Sequence, residues 1–244
     1  RMEAGEKRFA ERLHQKLGED YLIWYDVPFG PNQAHPDFVI FNQDVGLLVL
    51  EVKNWHTNTI VAANPETWVI RDKTEPEKPV KCPLGQARHH MYAVVDHLKR
   101  DKILHQTGQY KGQLICPWGH GLVLTNITRK QFDAKGLAMV IEPHLVICQD
   151  EIWEAVDAAQ LAQRLAHMLP YQARVKMTDV QVERMRWMLH KEVRIGEQSS
   201  LFGPDDEPPS VMRVFDIGQE QLARSLGEGR RLQDRRDQIG RAHV

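Results

Sequence analysis

The stretch HPDFVIFNQDVGLLVLEVKNW, residues 35–55, decides the fold of this chain. It holds two apolar runs, residues 37–41 and 45–55, separated by NQD, which has the composition of a turn. The second run is apolar on both faces, which is typical of a strand buried on both sides. The sequence therefore predicts a pair of interior strands, the second of them at the centre of a sheet.

Further strands and helices are predicted on either side of this pair. An opening helix over residues 2–17 has one apolar stripe, formed by Met2, Phe9, Leu13 and Leu17. Extended runs at 21–27, 121–127 and 144–148 predict strands, and two short runs around Asn64-Pro65 predict a hairpin. A second helix is expected over residues 84–99.

Two more helices are expected in the C-terminal part of the main body. Asp150 is a plausible N-cap for a helix that Pro170 ends. Thr178 and Gln181 have the spacing of a capping box before a last amphipathic helix. Helices and strands alternate without an internal repeat, which predicts an α/β or α+β protein.

Composition excludes several classes of protein. The 244 residues are 42% hydrophobic and 27% charged, so disordered, collagen-like and disulfide-scaffold chains do not fit. The 32 basic and 33 acidic residues give a net charge of −1, so an anion-binding surface must come from local placement of charges. Three widely spaced cysteines and the lack of a long apolar run predict a cytoplasmic protein without a membrane span.

The C-terminal part departs from globular composition. Residues 196–210, GEQSSLFGPDDEPPS, predict a linker after a main body of residues 1–195. Residues 211–237 are too few for a domain of their own. The last seven residues, QIGRAHV, are what one reading frame of a common sequencing adapter encodes, so we expect 238–244 to be an artefact.

The central strand ends in charged residues. Burying such charges among apolar neighbours costs free energy. Glu51 and Lys53 are two positions apart and so point to one face, Asp37 opens the preceding strand, and Glu6 interrupts the apolar stripe of the first helix. Three carboxylates beside one ammonium suit Mg²⁺ or Mn²⁺. Such a site would serve phosphodiester hydrolysis, in which Lys53 orients the nucleophile or stabilises charge on the phosphate. The alternative is a structural ion pair between Glu51 and Lys53.

The segments HPDFVIF and GLLVLEVKNW, preceded by GEKRFAERL and followed by PLGQARHHMYAVVDHL, resemble the nuclease-related domain. This domain is a branch of the PD-(D/E)xK restriction-endonuclease-like superfamily. The resemblance implies an α-β-β-β-α-β core, a mixed central sheet flanked by helices, with C-terminal helices added. It also implies roles for five residues of this sequence: Asp37 and Glu51 as metal ligands, Glu6 as the helix carboxylate, Lys53 as the catalytic lysine and Gln86 as a polar residue of the next helix.

Several other residues are candidates for contact with nucleic acid. Gln86, His90 and His97 share a strip beside the apolar face of their helix, where they meet DNA or water. Trp55 follows Lys53 at a place where a base could stack, although packing is its more common role. Arg129 and Lys130 follow a strand and are possible phosphate contacts.

Residues 211–229, VMRVFDIGQEQLARSLGEG, are similar to the entry of superfamily 1 helicases that carry a nuclease-related domain at their N-terminus. The similarity implies that residues 211–237 are the start of a truncated helicase domain. No phosphate-binding GxxxxGKT run follows, so this chain as given is not an ATPase. The prediction is a metal-dependent deoxyribonuclease domain, the N-terminal part of a DNA helicase. The alternatives are a nucleic-acid-binding or targeting module that does not cleave, and a purely structural domain.

Overall fold

The computed structural model describes residues 2–29, 34–71, 76–152, 155–172 and 176–189. In chain order the helices and strands are α1 (Ala4–Lys16), β1 (Tyr21–Tyr25), β2 (Phe38–Asn42), β3 (Gly46–Lys53), β4 (Ile60–Ala63), β5 (Thr67–Ile70), β6 (Lys78–Lys81), α2 (Pro83–Leu98), β7 (Trp118–Leu124), α3 (Arg129–Ala134), β8 (Val146–Cys148), α4 (Ala158–Ala166) and α5 (Asp179–Leu189). Short 3₁₀ turns connect several of them.

Five of the strands form one mixed sheet in the order β1-β2-β3-β7-β8. The first three strands pair antiparallel, whereas β3, β7 and β8 pair parallel. All of β2 and all of β3 except Lys53 are buried, as the apolar runs predicted. The predicted α/β class, with a mixed sheet flanked by helices and a restriction-endonuclease-like core, is confirmed.

A tight turn sets the register between β2 and β3. The side-chain oxygen of Asn42 accepts hydrogen bonds from the backbone nitrogens of Asp44 and Val45, at 2.9 and 3.1 Å. Gly46 then adopts φ 136°, and a Cβ at this position would lie 2.5 Å from the carbonyl oxygen of Pro117. Only glycine fits this turn, which fixes the pairing of Phe38 with Leu50.

The two long helices of the core cover opposite faces of the sheet. Phe9 of α1 meets the ring of Phe38 edge-on, with centroids 5.3 Å apart, so α1 lies on the Phe38 face. His90 of α2 lies beside Glu51, whose side chain points to the other face. Phe9 and Leu13 are fully buried, as the apolar stripe of the first helix predicted.

A second, smaller sheet follows the end of β3. Strands β4, β5 and β6 pair antiparallel in sequence order. The hairpin of β4 and β5 confirms the prediction, whereas β6 was not predicted. Trp68 of β5 is fully buried and belongs to one apolar cluster with Leu84 of α2 and Leu124 of β7. The small sheet is thereby packed against the helix and strand that adjoin β3.

The last part of the described chain contains one wrong prediction. Asp150 does not begin the predicted helix, which starts only at Ala158 and ends at Ala166. Its carboxylate instead accepts a hydrogen bond of 2.8 Å from the backbone nitrogen of Arg129. The helix is α4, and Asp157 caps it by accepting from the nitrogen of Gln160 at 2.7 Å. The capping box of Thr178 and Gln181 is confirmed at the start of α5.

The predicted linker (196–210), helicase start (211–237) and adapter-derived end (238–244) lie outside the described residues. Within the described ranges, the helices are all too short or too polar to cross a lipid bilayer.

Candidate active site

The register of the central strands brings Asp37 next to Glu51. Phe38 pairs with Leu50 in the last position of the register, and Asp37 precedes Phe38 while Glu51 follows Leu50. Cross-strand partners project to the same face of a sheet, with Cβ atoms about 5 Å apart. Asp37 is also held in place, because its Oδ2 accepts a hydrogen bond of 2.7 Å from the backbone nitrogen of Val52. Two carboxylates therefore share one face at the end of the central strand.

Glu51 is almost completely buried, with 1% of its surface exposed. Its Oε1 accepts a hydrogen bond of 2.6 Å from Lys53 Nζ, which is on the same face of β3. Its Oε2 is buried without a hydrogen-bond partner. A buried carboxylate oxygen without a partner is costly, and an ion pair with Lys53 alone does not remove that cost.

Asp37 has an abnormal acidity that follows from its position. Burial and then the neighbouring charge of Glu51 raise the pKa of Asp37 to about 7, against the opposing effects of the Val52 nitrogen and the Lys53 ammonium. A like charge held close to a carboxyl group in a protected place disfavours its ionisation. Such perturbed carboxyl groups are enriched at functional sites.

Glu6 reaches this region from the opposite face of the sheet. Its Oε2 accepts hydrogen bonds of 2.6 Å from the Tyr25 hydroxyl and 2.6 Å from the backbone nitrogen of Glu3, the second of which completes a capping box. Burial and the bond to Glu6 raise the pKa of Tyr25. The charge of Glu6 contributes the smallest of the named effects on Asp37. Glu6 is therefore near the carboxylate pair but is already engaged by α1 and Tyr25.

The polar strip of α2, formed by Gln86, His90 and His97, is more buried than the sequence indicated. The His90 side chain is 12% exposed, and its Nδ1 lies 3.5 Å from Glu51 Oε2. His97 lies against Phe29, and its Nε2 is 3.0 Å from the carbonyl oxygen of Met188 at the end of α5. Gln86, one turn before His90, is half-buried. The strip is thus divided between the carboxylate site and a contact of α2 with α5.

The candidates for contact with nucleic acid have different surroundings. Trp55 is half-buried, with Lys53 Nζ 5.8 Å from its ring centre and the ring of Trp68 at 6.0 Å. Arg129 donates to Glu151 at 2.8 Å and to the carbonyl oxygen of Val146, so its guanidinium is already engaged within the protein. Lys130 is exposed on α3.

Sequence reasoning missed a polar cluster beside Lys53. Arg8 Nη2 donates to Asn54 Oδ1 at 2.8 Å and to Asn126 Oδ1 at 2.7 Å. Asn126 donates in turn to the carbonyl oxygen of Asn54 at 3.0 Å. Asn54 directly follows Lys53, so the cluster ties α1 to the ends of β3 and β7. No local pattern could have revealed it, because its members come from three distant segments.

The described residues contain no preassembled group of three His, Cys, Asp or Glu side chains around one metal position. Asp37 and Glu51 form a pair of oxygen donors, and the second oxygen of Glu51 is the buried atom that a cation would satisfy.

A comparison with known protein families identifies the family of this chain. The family model of the nuclease-related domain matches residues 1–124. The match begins before α1 and ends with β7, so it includes each strand and helix that carries the carboxylates, Lys53 and His90. No curated protein and no solved structure matches the chain. Half of the chain, the half that holds the site, fits one family, and the protein belongs to the nuclease-related domain family.

Proposed function

We propose that this domain is a divalent-metal-dependent nuclease that hydrolyses phosphodiester bonds in DNA. One observation carries the proposal: Asp37 lies beside Glu51, held there by the hydrogen bond from the nitrogen of Val52, and Glu51 Oε2 is buried without a hydrogen bond. Two neighbouring carboxylates destabilise a sheet when nothing neutralises them. A bound cation would remove this repulsion and would satisfy the unpartnered oxygen.

The donor set supports Mg²⁺ or Mn²⁺ as the cation. Asp37 and Glu51 supply oxygen, which both ions prefer. Glu6, the third carboxylate that the sequence suggested, could join them only by releasing Tyr25 and Glu3. When bound, the ion would lower the pKa of a water molecule and neutralise charge on the phosphate. The protein itself supplies the rigid register of β2 and β3, which keeps the two carboxylates side by side.

Lys53 has the position expected of an electrostatic catalytic group. It is the last residue of β3, its side chain is 22% exposed, and its ammonium lies between the buried Glu51 and solvent. A cation there can bind a phosphate oxygen and stabilise negative charge that develops as the bond breaks. The Trp55 ring below the ammonium restricts where Lys53 can move.

A second candidate function is a nucleic-acid-binding module that does not cleave. The hydrogen bond of 2.6 Å between Lys53 and Glu51 favours it, because the two charges neutralise each other in this arrangement. A binding module could keep this pair as a structural element, with Lys130 and Trp55 contacting nucleic acid.

The substitution Lys53→Met tests the nuclease proposal. It keeps the length of the side chain and removes the ammonium, so we expect DNA binding in Ca²⁺ to persist while metal-dependent cleavage falls by about 10²-fold or more. Lys111→Met, at an exposed loop position, is the control for loss of one positive charge. Equal cleavage by the wild type and Lys53→Met would refute the nuclease proposal. Binding without cleavage by the wild type would support the binding module.

The biological setting extends this proposal. The similarity of residues 211–229 to the entry of superfamily 1 helicases suggests that the nuclease domain acts in cis with a helicase on DNA in the cytoplasm. Co-purification of ATPase and cleavage activity from the native protein, with loss of processive cleavage when ATP is withheld, would support this arrangement.

A further inference from the structure

Two buried polar atoms face each other at the site, and neither has a hydrogen-bond partner. They are Oε2 of Glu51 and Nδ1 of His90, which lie 3.5 Å apart. This separation is longer than a normal N–H···O hydrogen bond of about 2.7–3.2 Å. Buried polar atoms in proteins are almost always paired. Two unpaired polar atoms next to each other therefore indicate that they bind a common partner.

Glu51 and His90 are both largely buried, so their closeness is not a chance contact between mobile surface side chains. Glu51 is on the central strand and is 1% exposed, and the His90 side chain is 12% exposed. His90 is fixed by its helix, because its neighbours Ala87, Met91 and Val94 are buried against the sheet. Lys53 already holds the other oxygen of Glu51, so the free Oε2 is directed towards His90.

We propose that His90 is a metal-binding residue of this site, and that its Nδ1 and Glu51 Oε2 bind the same divalent cation. The inference rests on the proposed function. Donor atoms about 2.1 Å from one ion lie about 3.0–3.4 Å apart when they occupy adjacent positions, close to the distance observed here. One cation would therefore satisfy both unpaired atoms.

A nitrogen donor changes which cation the site selects. Mg²⁺ prefers oxygen ligands and keeps several waters, whereas imidazole is a good ligand for transition metals, and Mn²⁺ accepts both donor types. A site in which Glu51 and His90 both bind the ion therefore favours Mn²⁺ over Mg²⁺ more strongly than a site with carboxylates alone. His90 would set the metal preference of the domain.

The test uses Mn²⁺ as the probe on the full chain, with the neighbouring histidine as the matched control. His89→Asn makes the same chemical change as His90→Asn at an exposed position one residue away. Mn²⁺ affinity is measured by titration with electron paramagnetic resonance, Mg²⁺ affinity by competition, and nitrogen ligation by pulsed detection of ¹⁴N coupling. Circular dichroism of each variant verifies folding.

We expect ¹⁴N coupling to bound Mn²⁺ in the wild type and in His89→Asn. His90→Asn should lose this coupling and about tenfold or more of the Mn²⁺ affinity, with a smaller loss for Mg²⁺. The coupling in the wild type is informative even if the His90 variant does not fold.

Wild-type Mn²⁺ binding without ¹⁴N coupling, or coupling that survives in His90→Asn, would overturn the role of His90 and leave the metal site intact. Equal Mn²⁺ affinity in the wild type and Asp37→Asn would instead contradict the proposed metal site itself, and the role of His90 with it.

Discussion

Arg8 and Asn126 are 118 positions apart in the sequence, and the guanidinium of Arg8 donates a hydrogen bond of 2.7 Å to the side-chain oxygen of Asn126. The same nitrogen bonds Asn54, the residue after Lys53. The Arg8 side chain thus connects α1 to the ends of β3 and β7, the parallel strands at the centre of the sheet. All of these acceptors are neutral, so the bonds position α1 without cancelling the charge of Arg8.

A double-mutant cycle measures this connection. We expect Arg8→Met and Asn126→Ala each to lower the free energy of unfolding, with a coupling energy of about 1–2 kcal/mol between them, because the bond has a charged donor. Urea unfolding of the wild type, both single variants and the double variant gives this coupling. Additive effects would show that the bond contributes nothing of its own.

The Glu6 carboxylate accepts two hydrogen bonds, and two substitutions test how much they stabilise the fold. Glu6→Gln keeps an oxygen that can accept from Glu3 and Tyr25, so stability should be nearly unchanged. Glu6→Leu removes this acceptor and should cost about 1 kcal/mol or more, despite the gain of an apolar side chain. Thermal unfolding compares the two variants. If Glu6→Leu is as stable as Glu6→Gln, the bonds to Glu3 and Tyr25 are not important for folding.

Two helical glycines should respond in opposite directions to alanine. A Cβ on Gly5 would lie 2.8 Å from Thr125 Oγ1 and 2.9 Å from Asn54 Cβ, so Gly5→Ala should displace α1 and destabilise the protein. At Gly85 the nearest atom would be 3.7 Å away, so Gly85→Ala should stabilise α2 by about 0.5–1 kcal/mol. Equal gains at both positions would show that α1 is not closely packed against the strand ends.

The raised pKa of Asp37 predicts how metal-free protein responds to pH. Its carboxyl keeps a proton in the folded state up to about pH 7, whereas the unfolded value is 3.8. Below about pH 4 both states are protonated, so the cost of ionising Asp37 in the fold appears between pH 4 and 7 and persists above. In EDTA, stability should therefore fall from pH 5 to pH 8 by more in the wild type than in Asp37→Asn.

Urea unfolding at the two pH values measures this difference, and Asp37→Asn keeps an acceptor for the nitrogen of Val52. Addition of Mn²⁺ at pH 8 should restore the lost stability to the wild type alone. A larger fall in Asp37→Asn would contradict the raised pKa.

The sequence was most informative where burial imposes a pattern along the chain. The apolar runs around Val39 and Val49 predicted β2 and β3, and Gly46 and Asn42 explain the turn between them. Strand β6 was missed because its sequence, KPVK, has a lysine at each end and a proline inside, and therefore lacks an apolar run. Edge strands of this kind are defined by their partner rather than by their own residues.

Positions that depend on contacts between distant segments could not be predicted. His90 was expected to meet DNA or water, but the packing of α2 on the sheet turns it towards Glu51. Asp150 looked like a helix cap, but Arg129 from another segment engages its carboxylate. The chemical types at Asp37, Glu51 and Lys53 were visible in the sequence, whereas the unpaired oxygen of Glu51 required the structure.

The different sequence separations within the site imply an order of assembly. Asp37 and Val52 are only 15 positions apart, so the hairpin of β2 and β3 brings the two carboxylates together through a short loop. Arg8 and Asn126 meet across 118 positions, so their contact forms only after the chain has been made as far as residue 126. During synthesis on the ribosome, the acidic pair can thus exist before α2 and β7 have emerged to cover it. The nascent chain would pass through a stage in which this pair is open to water and cations.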